Sequence, residues 1–401
     1  MSREAKAAAG PAVARQGAHA TVIGRHSRGG DEGTSSAEPQ KRMRVLISAY
    51  ACEPGMGSEP GIGWNLATQL SAYHHVWVIT RANNRPAVEA ELERSPNRDL
   101  HFVFFDLPQW ARWWKRKQRG VRTYYYLWQL GVYFVARRLE KSIEFDVAHH
   151  LTFGKYWTPS GIALLPIPFV WGPVGGGETT PRTLRTSFSR SGRLYETVRS
   201  IARWMSARDP LVLLTARRSV VALANTPETA SRLHRVGARR VECLSHAALA
   251  DDQIRSLDCA IPPSDPIRFV SVGRLLHWKG FHIGMRAFAM ADIPETEYWI
   301  IGSGPEADRL RRLAASLDVE TRVSLLGALP RQETFDRLEL CHVLVHPGLH
   351  DSAPTVCVEA MAARKPVICV DTGGPATQVT DDTGFKIPAA STNETIGKMA
   401  E

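Results

Sequence analysis

At 401 residues, 44% hydrophobic and 22% charged, the chain is too long for one ordinary core and has the balance of a soluble two-domain protein. No apolar run is long enough to span a bilayer, since the greasiest, GIALLPIPFVWG at 161–172, is broken by Pro166 and Pro168. Six scattered cysteines with no CxxC pair exclude a disulfide scaffold and a zinc ribbon and point to a reducing, cytoplasmic compartment; the net charge of +10 asks for an anionic partner.

Residues 1–42, rich in Ala, Gly, Ser and Arg, read as a disordered extension. From Met43 the pattern becomes strand, loop, helix: 44–50 is a strand, ACEPGMGSEPGIG a loop and WNLATQL a helix. Further strands follow at 74–80, 100–107, 145–151, 168–172 and 220–226, with a helix over RPAVEAELERS. Alternating strands and helices imply a parallel sheet covered on both faces. The stretch 247–266 loses the periodicity, ends in Pro262, Pro263 and Pro266, and reads as a linker. Alternation then restarts, with strands at 267–273, 297–302, 322–327, 341–347 and 366–371 and a helix at 354–364. The expected architecture is α/β, two tandem Rossmann-like domains at 43–246 and 267–401. Ligands of such sheets bind outside the carboxyl ends of the strands, so a facing cleft is expected.

Several motifs fall at those strand ends. In VGRLLHWKG (272–280), Arg274 and Lys279 sit beside a helix N-terminus, a combination suited to a diphosphate; the bland alternative is two solvated cations on a loop. IGSGPE (301–306) and DTGGPA (371–376) place Gly302, Gly304, Gly373 and Gly374 in turns at the same edge. In HDSAPTVCVEAMAARKPV (350–367), Pro354 fits a first helical position, which leaves Asp351 as either a helix cap or a ligand contact. Glu359 lies in a helix with no polar face. A buried unpaired carboxylate costs on the order of several kcal/mol, so Glu359 should meet a cation, a water-filled cleft or ligand hydroxyls.

Taken together, GRLLHWKG, GSGP at 302–305, the acidic pair Asp351 and Glu359, EAMA at 359–362 and RKPVICVDTGG resemble the family 4 retaining glycosyltransferases, also called group 1, of the GT-B fold. The resemblance is close over 267–388 and looser over 43–245. It implies that Arg274 and Lys279 hold the diphosphate of a nucleotide-sugar donor. It also implies that Glu359 accepts the ribose hydroxyls and that Asp351 lies against the transferred sugar. Asp351 departs from the usual Glu by one methylene, and Ala376 stands where a Glu commonly follows the glycine turn.

In the first half, the glycines of GMGSEPGIGW (55–64) do not fit GxGxxG, and the second strand runs into Thr80 and Arg81 rather than an acid, so a dinucleotide cofactor is disfavoured. The family's glycine loop faces the donor phosphates, which carries over to Gly57, Gly61 and Gly63. DVAHHLTFG (146–154) offers two adjacent histidines, His149 and His150, near the expected sugar; the family's position falls on Leu151, and either histidine could take the role. GPVGGGE (172–178) either frames an acceptor or permits a tight turn. The stretch 109–130 interleaves Trp110, Trp113 and Trp114 with basic residues, and reads as a contact for an anionic membrane surface or as a basic amphipathic hairpin packing its own aromatics.

The expectation is a retaining enzyme that needs no cofactor, no metal (no DxD occurs) and no nucleic acid. Its acceptor would be a glycan or polyprenyl-linked intermediate of surface polysaccharide synthesis, met in the cytoplasm or at the inner face of the membrane. The alternative is a degenerate, membrane-associated binding protein of the same fold.

Overall fold

The computed structural model describes residues 41–111, 120–257 and 265–401, and Arg42–Glu401 form one compact unit. The expected extension at 1–42 lies almost wholly outside the described residues.

Among the described residues the first sheet holds β1 (Arg44–Ala49), β2 (His75–Thr80), β3 (Leu100–Phe104), β4 (Val147–Thr152), β5 (Phe169–Val174), β6 (Ser219–Ala224) and β7 (Val241–Cys243). All pairs are parallel, in the order β3-β2-β1-β4-β5-β6-β7. Its helices are α1 (Ser58–Ser71), α2 (Arg85–Arg94), α3 (Val121–Ile143), α4 (Arg190–Ser206), α5 (Pro210–Arg218) and α6 (Pro227–Arg235). The second sheet holds β8 (Ile267–Val272), β9 (Thr296–Ile301), β10 (Val323–Gly327), β11 (Val343–His346), β12 (Val367–Val370) and β13 (Gly384–Ile387), parallel in the order β10-β9-β8-β11-β12-β13. Its helices are α7 (Asp251–Ser256), just ahead of the sheet, α8 (Phe281–Ala291), α9 (Ala307–Ser316), α10 (Arg331–Glu339), α11 (Thr355–Ala362), α12 (Gly373–Gln378) and α13 (Thr392–Ala400).

Strands covered on both faces read as aliphatic runs rather than alternations. RVLISA of β1 is such a run: Leu46 and Ile47 are adjacent, point to opposite faces, and are both fully buried. Each sheet reverses its strand order once, between β1 and β4 and between β8 and β11, and these switch points fix where a ligand can enter.

Three expectations need correction. The linker 247–266 contains α7, whose Leu257 cap is fully buried against the second sheet's core. The described part of 109–130 does not form a hairpin: Trp110 is exposed, and from Val121 the segment is the long α3, with Tyr124, Tyr125 and Trp128 buried under the first sheet. Residues 112–119, which supply most of that segment's charge, lie outside the described residues. The two domains are also not cleanly sequential. Leu184 and Phe188, from the segment after β5, pack inside the second core beside Leu275, Phe281 and Leu310. Ser187 secures them, its carbonyl accepting from Arg309 Nη2 at 2.8 Å and its hydroxyl 2.9 Å from His282 Nε2.

Candidate active site

The two switch points bring together loops that lie far apart in sequence. The loop after β1 carries Gly57, β4 carries both histidines, the turn after β8 carries Arg274 and Lys279, and the loop after β11 carries Asp351.

Asp351 is the most heavily engaged of these. Its Oδ2 lies 2.9 Å from Lys279 Nζ and accepts a 2.9 Å hydrogen bond from His346 Nε2. Burial alone would raise its carboxyl, but the Lys279 ammonium and the His346 bond outweigh that and hold it well below the usual carboxylate range. Burial pushes His346 down, so a neutral imidazole donates this bond. A side chain at Gly348 would strike both partners, at 2.7 Å from Asp351 Oδ2 and 2.8 Å from His346 Nε2. Asp351 does not cap α11, whose first turn receives no side-chain bond; its carbonyl instead accepts from Gly374 N at 2.7 Å. Arg274 is exposed in the same turn as Lys279.

Glu359 meets a cation that sequence reasoning missed. Arg331, the first residue of α10, places Nη2 3.0 Å from Glu359 Oε1. Burial still raises the Glu359 carboxyl, with Arg331 offsetting part of the cost. Across the cleft, a Cβ at Gly57 would lie 2.6 Å from Arg331 Nη1, so the glycine loop closes directly over this ion pair. The Gly-rich turn at 172–178 supplies a second bridge. Glu178, buried, accepts from Thr226 Oγ1 at 2.6 Å, Thr229 Oγ1 at 2.7 Å and Gly176 N at 2.8 Å. Its remaining capacity takes the Ser352 hydroxyl at 2.6 Å, which ties the residue after Asp351 to the first domain.

The remaining predicted residues separate into two groups. His149 Nε2 donates to the Gly172 carbonyl at 2.6 Å, and burial lowers its pKa, so the ring is neutral with Nδ1 left as acceptor. His150 is fully buried, with one ring nitrogen 3.1 Å from Tyr125 Oη and the other 3.0 Å from Ser160 Oγ; burial pushes it down to about 3. Both its nitrogens serve the core. Gly61 and Gly63 lie inside α1, where side chains would collide with the Met56 and Ala51 carbonyls. Gly302 and Gly304 press on the Gly273 and Leu275 carbonyls, holding the β9 turn against the β8 turn. Gly373 and Gly374 press likewise on the backbone of Asp351 and Ser352.

A family model described as "Glycosyl transferases group 1" matches residues 260–401. Over this C-terminal stretch the chain is similar to the group 1 glycosyltransferases. Among its relatives, the lipopolysaccharide core biosynthesis glycosyltransferase LpsE of Rhizobium meliloti is 29% identical over 168 residues, 41% of this chain and 48% of LpsE. The 2-deoxystreptamine N-acetyl-D-glucosaminyltransferase of Streptomyces fradiae is 26% identical over 264 residues, 62% of this chain and 60% of that protein. The chain spans about half the length of the curated relatives it matches. Among solved structures, Anabaena HepE in complex with UDP superposes with a TM-score of 0.54 at 17% identity, over 89% of this chain and 88% of HepE. The outer core galactosyltransferase WaaB superposes at 0.59 with 14% identity, over 89% of each chain. These likenesses show the GT-B fold.

Proposed function

We propose that this protein is a retaining glycosyltransferase that moves a sugar from a nucleotide-diphosphate donor to a hydroxyl of a growing surface polysaccharide or lipopolysaccharide. The observation that carries the reading is the Lys279–Asp351–His346 cluster at the second switch point, in the same turn as exposed Arg274. The names of the relatives, which include lipopolysaccharide core and colanic acid glycosyltransferases, support the class of product.

In this reading Arg274 and Lys279 offset the diphosphate charge that grows as the anomeric C–O bond breaks. Glu359, held in place by Arg331, accepts from the ribose hydroxyls. Asp351 accepts from a sugar hydroxyl once Lys279 turns to the phosphate. The acceptor oxygen attacks the anomeric carbon from the face the diphosphate leaves, and the departing phosphate oxygen takes the acceptor's proton. Atoms balance without a protein base, and His149, with its free Nδ1, orients the sugar. No step calls on a metal.

The test is incubation with UDP-, GDP- and ADP-sugars, following nucleotide release with and without a polyprenyl-linked acceptor and assigning the product anomer by NMR. Release of nucleotide with retained configuration is expected. Failure to bind or turn over any of these donors overturns the reading, and tight binding without turnover favours a binding protein.

A further inference from the structure

Helix α4 is built inside out. Leu194, Val198, Ile201 and Met205 recur at i, i+4, i+7 and i+11, one stripe at ~100° per residue, and all are 54–66% exposed. The opposite side, which a globular helix fills with aliphatics, holds Glu196, Arg199 and Arg203, all buried. Their partners explain the inversion. Arg199 and Arg203 donate to the Glu178 and Gly177 carbonyls at 3.0–3.2 Å, and Glu196 accepts from His277 at 3.3 Å and His350 at 3.1 Å. The polar face is turned inward to fasten the two domains, so the apolar face is left outward. Single exposed apolar residues need no explanation, but a contiguous stripe marks a contact.

We propose that this stripe docks the protein on an anionic bilayer, with α4 lying in the interface plane. Charge selects the occupant. Arg190 and Arg193 are exposed at one end of α4, and at the other Trp204 is 61% exposed with the Arg208 guanidinium 4.0 Å from its ring centroid. Glu196 is the one acid in α4, and it is buried. Beside Trp204 opens a recess of about 790 Å³ lined by Arg208, Arg232 and Arg235, and no acid is among the described residues lining it. An aliphatic stripe flanked by Trp and Arg is the composition of an interfacial helix. A second copy of this chain would set arginines against arginines, which disfavours a self-complementary contact. The surface differs from the 109–130 segment, whose described aromatics from Tyr124 to Trp128 largely face the core. It stands apart from the proposed chemistry, because docking requires no turnover.

The experiment is co-sedimentation of the full chain with vesicles of phosphatidylcholine, with and without phosphatidylglycerol. Binding to the anionic vesicles only, weakened by salt, is expected. Replacing Leu194, Ile201 and Met205 together by Ser should lower that binding at least ~10-fold. The melting temperature should hold, because these side chains are exposed. R193Q with R208Q should weaken binding to anionic vesicles and leave the apolar stripe intact. The proposal is overturned if the wild-type chain ignores anionic vesicles or if the triple variant binds them equally well. It also fails if sedimentation velocity shows a dimer that the triple variant dissolves.

Discussion

Asp351, partly buried, and Glu196, almost fully buried, are both carboxylates that collect a cation and imidazole hydrogen bonds, yet they do different work. Asp351 gathers Lys279 and His346 from two neighbouring strand-end loops of one sheet. Glu196 reaches from α4 to His277 and His350 in the other domain, with Arg199 at 3.5 Å. Burial would raise each carboxyl, and in both cases the surrounding donors reverse the direction and hold it below the ordinary range. The first cluster shares its turn with exposed Arg274, a cation that no ion pair among the described residues engages. The second is sealed by rings, Trp278 stacking between Tyr195 and His350 at 5.2 Å from each. One arrangement is ready to exchange a partner; the other is ready only to hold.

The sharpest separation is kinetic. Lys279→Ala should lower kcat at least ~100-fold, the scale for removing one charge-stabilising donor, and should also cost some stability, because Asp351 loses its ammonium partner. Glu359→Ala should abolish donor binding measured by calorimetry, and unaltered binding would refute its assigned role. Glu196→Gln should act on stability instead, costing about 3 kcal/mol in urea unfolding because two imidazoles and Arg199 lose a buried anion. Both folded carboxyl pKa values are depressed, so the stability they contribute is present above the unfolded carboxylate range of ~4 and is lost as pH falls below it. Unfolding followed from pH 7 to pH 3 should therefore show acid loss in the native chain and a shallower slope in Glu196→Gln. The smallest effect is expected from Asp351→Glu, which should keep kcat within a few-fold of the native chain. A loss as large as that of Lys279→Ala would show that the pocket is fitted to the shorter acid.

Much of the second domain was legible because its chemistry is local. Strand, turn and helix lie within a dozen residues in GRLLHWKG and in HDSAPTVCVEAMA, so spacing alone put Lys279 and Asp351 at one edge. The demand that Glu359 find a partner followed from its greasy helix, but Arg331 could not be named, because it arrives from a different strand–helix turn. The edge strands β7 and β13, of three and four residues, were too short to show a pattern. The apolar stripe of α4 has helical spacing, but periodicity alone would bury the wrong face, since its polar side faces inward. Choosing between His149 and His150 likewise needed the third dimension, where Tyr125 and Ser160 claim the second ring.

The placement of Leu184 and Phe188 bears on how the molecule can be divided. A fragment cut at the proline-rich stretch before β8 would carry every strand of its sheet, yet its hydrophobic interior would have a hole where two side chains belong. The halves are therefore not interchangeable cassettes. A chimera that swaps the donor-binding domain must bring residues 180–206 along with it, or redesign the surface that receives them.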